Sequence, residues 1–160
     1  MRKVLGLTAA ALATLLTGCG SKGSPVAPGP QASQSQVSVR VDGAAWTPAL
    51  AFVTSTAGNT SILASDADRR RFLTIMFSGP AKVGVHRIEY AEDLPVSVFY
   101  SDGGGVGPAW TSFTPIARGE VNVTAATDRT LSGTLSVVLT PLTATTSEVK
   151  TIEGTFALTR

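Results

Sequence analysis

VSVRVDGAAW, residues Val37 to Trp46, is the stretch that decides the fold. Val37, Val39 and Val41 alternate with Ser38 and Arg40, and a period of two gathers the valines onto one face only if the chain is extended. Asp42-Gly43 then breaks the run. Both residues tolerate positive φ, so the pair suits a two-residue hairpin turn whose twist matches that of its strands. Counting outward from the turn sets Ala44 opposite Val41 and Trp46 opposite Val39. Trp46 falls on the valine face and is predicted to be core.

The same period continues down the chain. Leu50 to Thr54, Ser61 to Ser65, Phe72 to Phe77, Val85 to Tyr90 and Val96 to Ser101 read as further strands. Phe72 to Phe77 is apolar on both parities, the pattern of a strand covered on both faces. In the C-terminal third, Gly119 to Val123, Gly133 to Val137 and Gly154 to Leu158 share the form Gly, any residue, apolar, any residue, apolar. Three such strands in sequence predict an antiparallel meander. Their leading glycines are expected to leave room for a large side chain such as Trp46 or Trp110. Threonine on the outward parity suits a solvated sheet face. The expected fold is all-β: a single antiparallel β-sandwich of about eight to ten strands, with a lipocalin-like closed β-barrel as the alternative.

Upstream, Arg2 and Lys3 precede an uncharged apolar run from Val4 to Leu16, too short for a bilayer span but of normal length for a secretory leader. Leu16-Thr17-Gly18-Cys19 follows, with the chain's one cysteine. These four residues resemble the lipobox of bacterial lipoproteins. The resemblance implies that the Cys19 thiol is joined to diacylglycerol, that the leader is cut before it, and that the new amine is acylated. Residues 1–18 are then a signal peptide. Residues 19–36 are the lipidated cysteine and a disordered Gly/Ser/Pro/Gln tether, and 37–160 are the all-β domain. As a coil the tether reaches roughly 20–25 Å. Gly20, where aspartate would retain an enterobacterial lipoprotein at the inner membrane, implies the outer membrane by the same resemblance.

Cleavage would remove Arg2 and Lys3, leaving 11 basic against 11 acidic residues. The basic character belongs to the leader, so no nucleic-acid partner is expected. The domain has neither a thiol nor the makings of a disulfide, and must stand in an oxidising compartment on its core alone. It is expected to be monomeric and to need no cofactor or metal.

Catalytic signatures are sparse. His86 is the only histidine. No G-x-S-x-G elbow presents a nucleophile, and a zinc site needs several His or Cys ligands. His86 shares its parity with Ile88 and is expected to be a half-buried, hydrogen-bonded side chain. Asp102 to Pro108 is glycine-rich but precedes no helix and lacks a P-loop Lys-Ser/Thr, so it reads as a loop. Asp66 and Asp68 lack the rest of a calcium loop and read as turn residues. Glu89, Glu92, Asp93 and Glu120 are the acids open to a carboxylate-based glycan hydrolase.

Two features are candidates for ligand binding. Arg69-Arg70-Arg71 is the densest charge cluster, suited to phosphate or carboxylate groups of a glycan or lipid, or else a solvated turn guarding a strand edge. The stretch Ser101 to Phe113 is the longest turn-like segment, flanked by Tyr100 and Trp110, whose rings would either face a ligand or fold back into the core.

The layout as a whole resembles a group of small all-β envelope lipoproteins of unknown function. The shared elements are the lipobox, the low-complexity tether, a V-x-G-x-x-W element (Val41 to Trp46) and a closing G-T-F strand (Gly154 to Phe156). That group implies no catalytic residues. The expectation is a non-catalytic envelope lipoprotein anchored to the membrane at Cys19, a binding or structural module whose partner is a glycan, a lipid or an envelope protein. The alternatives are the glycan hydrolase and a carrier of a small lipophilic ligand.

Overall fold

Asp42 and Gly43 take φ of 50° and 82°, the left-handed pair of a type I′ turn. The turn aligns Val41 with Ala44 and Val39 with Trp46, the register counted from the sequence. A second turn of this kind, at Ala57-Gly58 with φ of 51° and 85°, joins the next hairpin. The computed structural model describes residues 35–89, 94–104, 107–142 and 147–160. Cys19 and the leader, Tyr90, Glu92 and Asp93 lie outside the described residues.

Eleven strands are formed among the described residues: β1 (Gln36–Val41), β2 (Ala44–Trp46), β3 (Leu50–Thr56), β4 (Asn59–Ser65), β5 (Arg71–Phe77), β6 (Gly84–Ile88), β7 (Val96–Asp102), β8 (Ala109–Thr111), β9 (Arg118–Ala126), β10 (Thr130–Pro141) and β11 (Lys150–Thr159). All pairings are antiparallel. The fold is all-β, and it is a single sheet that curls around its own core. Its order is β2-β1-β11-β10-β8-β7-β5-β4-β3, with β9 on β10 and β6 on β9.

β10 makes the corner. Leu131 to Val138 pair with β9, while Thr140 and Pro141, further along the same strand, pair with β8. The sheet therefore has two leaves, β6-β9-β10-β11-β1-β2 and β8-β7-β5-β4-β3, joined through β10. Their inner faces share one hydrophobic core that includes Val39, Trp46 and Phe156 from the first leaf and Ile75, Val98 and Tyr100 from the second. The meander β9-β10-β11 lies where the Gly-led pattern puts it.

Three expectations are corrected. Ser101 to Phe113 is not one loop: β7 runs to Asp102, and Ala109-Trp110-Thr111 form the buried strand β8. Flanking Gly and Pro hid a strand too short to show a period. The inward glycines do not seat a tryptophan. A Cβ on Gly133 would lie 2.6 Å from the Phe156 ring and would also meet the Asn122 carbonyl, and one on Gly154 would lie 2.7 Å from Val39 Cγ1. Cross-strand neighbours claim the space, because Gly133 pairs directly with Phe156, and Gly154 with Val39. Finally, β5 is covered on one face only. Leu73, Ile75 and Phe77 are buried, but Met76 on the other parity is exposed and Phe72 is half-buried.

The outer faces of the two leaves differ in chemistry. On the β6–β2 leaf, charges of opposite sign sit opposite each other, Arg40 with Glu153 and Arg87 with Glu120, as suits a solvated sheet. On the other leaf the outward positions are Leu50, Phe52 and Thr54 of β3, Ser61, Leu63 and Ser65 of β4, and Phe72, Thr74 and Met76 of β5. None of these is charged.

Two substitutions test the backbone logic. Gly133→Ala drives a methyl into a neighbouring carbonyl and ring, and should cost about 1–3 kcal/mol or more. Ala57 occupies a left-handed conformation that disfavours a Cβ, so Ala57→Asn should stabilise by up to about 1 kcal/mol. Urea midpoints should move in opposite directions for the two.

Candidate functional site

The elements that end near Asp42 build one cluster. Trp46 of β2, Tyr100 of β7 and Trp110 of β8 form an aromatic column. Trp46 meets Tyr100 edge-on at 5.9 Å between centroids, and Tyr100 meets Trp110 at 5.7 Å. A cation caps each end, the Arg71 guanidinium 5.4 Å from the Trp46 centroid and Lys150 Nζ 5.1 Å from that of Trp110. The rings are only 4%, 1% and 3% exposed, so their indole N–H groups need partners. Trp46 donates to Asp66 Oδ1 at 2.6 Å, and Trp110 to the Glu148 carbonyl at 2.7 Å.

Two carboxylates complete the cluster. Asp66 Oδ2 accepts from Arg71 Nε at 2.9 Å. Asp42 Oδ2 accepts from Lys150 Nζ at 2.6 Å, and its Oδ1 from the Thr151 N–H at 2.9 Å. Burial alone would raise the Asp66 carboxyl, but hydrogen bonds from Trp46 and Arg71 and the Arg71 charge hold it below the usual carboxylate range. Burial likewise opposes the ionised Asp42, and Lys150 and the Thr151 amide outweigh it. The hydrogen bond to Asp66 raises Arg71 further. Burial, followed by the negative charge of Asp102, pushes the Tyr100 phenol up to about 12.

The structure thus brings Tyr100, Trp110 and Arg71 together, as a buried column with Tyr100 at its centre and Trp46 between it and Arg71, rather than as an open aromatic surface. Arg71 has the inward parity of β5 and is spent on Asp66 and Trp46. Its two neighbours are separate from it. Arg70 is exposed, 3.9 Å from Asp68. Its carbonyl accepts from the Gly103 and Gly104 N–H groups at 2.8 and 2.7 Å, which ties the glycine-rich turn to the arginine turn. Arg69 takes a left-handed φ of 57° and lines an open groove of about 410 Å³ with Leu50, Phe52, Leu63 and Phe72. Sequence reasoning missed this groove. Its signal was the double-parity apolar pattern of Phe72 to Phe77, read as burial on both sides.

The remaining candidates are dispersed. His86 donates from Nε2 to the Lys82 carbonyl at 2.7 Å and meets the Phe77 ring edge-on at 5.2 Å, the half-buried role expected of it. Glu89 is exposed beside Arg87, and Glu120 is exposed on the charged outer face. Among the described residues no three His, Cys, Asp or Glu side chains come together as a metal site would require. Compared with known proteins, the chain matches no family, no curated protein and no solved structure.

The cluster fixes the pH dependence of stability. Asp42 and Asp66 are depressed, so their contribution is full above the unfolded value of about 3.9 and is lost as pH falls through the folded values. Tyr100 is raised, so the unfolded chain loses its proton first. Stability should fall by about 2 kcal/mol between roughly pH 10 and 12. In thermal melts across pH, Tyr100→Phe should flatten the alkaline limb alone. Asp66→Ala should lower stability near neutrality by about 2 kcal/mol, because it strands the Trp46 N–H.

Proposed function

We propose that this protein is a lipid-anchored, non-catalytic module of the bacterial cell envelope, held at the outer membrane through Cys19. The observation that carries the reading is Leu16-Thr17-Gly18-Cys19, placed after a basic start and an uncharged apolar run. A diacyl group and an amide-linked chain each bury many methylenes, at about 0.8 kcal/mol apiece, which makes such an anchor durable. Gly20 to Gln36 then acts as a spacer ahead of the domain.

The domain's build supports a binding or structural role over a catalytic one. The side chains best placed for chemistry are committed elsewhere: Asp66 and Arg71 to each other and to Trp46, Asp42 to Lys150, and His86 to a backbone carbonyl. Three aromatic rings fill the interior at the Asp42 end, which favours an outward-facing role over carriage of a ligand inside the curled sheet. The protein would work by presenting a surface.

In a diderm host grown with radiolabelled palmitate, the wild-type protein should take label and fractionate with the outer membrane. Cys19→Ala should remain an unlabelled, unprocessed precursor. A wild-type protein that takes no label would overturn the reading.

A further inference from the structure

We propose that the uncharged outer face of β3, β4 and β5 rests on an anionic phospholipid bilayer, with Leu50, Phe52 and Phe72 entering the acyl boundary and Arg69 meeting a lipid phosphate. The inference deepens the anchored-module reading and rests on it for the bilayer's proximity: as a coil, the spacer from Gly20 to Gln36 has a typical end-to-end distance of roughly 20–25 Å.

Four observations carry it. Leu50 and Phe52 are 46% and 47% exposed on adjacent outward positions of β3, with Met76 exposed on β5. Large side chains are thus held in water on a rigid sheet, where burial elsewhere would stabilise them. The opposite outer face carries opposite charges at facing strand positions, Arg40 with Glu153 and Arg87 with Glu120, whereas the outward strand positions of β3, β4 and β5 carry none, so the two sides of the domain suit different media. The groove has one charged lining residue, Arg69, for which no carboxylate lies within ion-pair distance among the described residues. An apolar floor with a single unpaired cation at its end is complementary to an acyl chain beneath a phosphodiester.

The backbone gives the fourth. Arg69 holds φ at 57°, a conformation that glycine or asparagine adopts at less cost. The turn is closed by the Arg69 N–H to the Asp66 carbonyl at 3.0 Å and by the Arg70 N–H to Asp68 Oδ1 at 3.2 Å. Neither bond needs an arginine side chain. The guanidinium therefore sits at the groove against local backbone preference, which points to a role outside the fold. A protein partner would be expected to meet a patterned surface, and this face offers Ser and Thr hydroxyls and, beyond Arg69 at its end, no charge to fix an orientation.

The test uses residues 35–160, which contain all eleven strands and the core found among the described residues, so the anchor plays no part in it. Co-flotation is measured with vesicles of phosphatidylcholine alone and of phosphatidylcholine with 30% phosphatidylglycerol. The domain should float with the anionic vesicles, less so as salt is raised. Phe52→Asp should weaken partitioning more than tenfold. Arg69→Gly should weaken it about fivefold while leaving thermal stability unchanged or higher, an outcome that a structural role for Arg69 cannot produce. Arg40→Ala, on the charged face, should change nothing. No flotation, or flotation indifferent to Phe52→Asp, overturns the proposal. Self-association in sedimentation that Phe52→Asp abolishes, without flotation, overturns it in favour of a second copy on this face. Palmitate labelling is unaffected by any of these results, so a failed anchor and a failed docking face are told apart.

Discussion

The Asp66 carboxylate is the group on which the domain most depends. It takes the indole N–H of Trp46 on one oxygen and the Arg71 guanidinium on the other. Trp46 belongs to β2, at the rim of one leaf, and Arg71 to β5, in the middle of the other. With no disulfide available, this contact adds a polar tie between the two leaves to the core they share. It also licenses the rest of the column. A buried indole without a partner would cost about 1–3 kcal/mol, and only with Trp46 seated can Tyr100 and Trp110 stack behind it. Lys150 and Asp42 repeat the arrangement at the far end, where the first hairpin turn is pinned to the start of the last strand.

Much of this architecture is legible in the amino-acid sequence. The Val37–Trp46 hairpin could be counted out residue by residue, because a type I′ turn leaves no freedom in register once its two residues are known. The C-terminal meander was legible for the same reason, with a strict period and clear punctuation. What escaped was non-local. β8 is three residues between Gly and Pro, and its burial comes from β7 and β10, which no short window contains. The partner of Gly133 is Phe156, 23 positions later in the chain and adjacent only once β10 and β11 pair. The arginine triplet shows one charge density in sequence, yet alternation along the start of β5 turns Arg71 inward, while the turn sends Arg69 to the groove and Arg70 to water.

The period-two argument has a specific weakness that β5 illustrates. Apolar residues on both parities mean that both faces carry apolar atoms, not that both are covered. Leu73, Ile75 and Phe77 meet the core, and Phe72 and Met76 meet none of it. In a sheet that curls around one core there is no second layer to hide an outer face. An apolar outer position is then either a defect or a contact surface. Its segregation to one leaf, while the other leaf sets opposite charges at facing strand positions, fits a contact surface.

The corner and seam of the sheet also bear on how the chain reaches this state. Among the described residues β1 pairs only with β2 and with β11, the last of the eleven strands. Loop-closure entropy makes such a pairing slow and late. On the proposed export route the N-terminal hairpin would emerge first and wait, with Val37, Val39 and Trp46 unburied, until residues 150–159 arrive. The proposed lipid upstream would hold that waiting hairpin beside the membrane, and the interval before β11 docks would be when the chain is most open to chaperones and proteases.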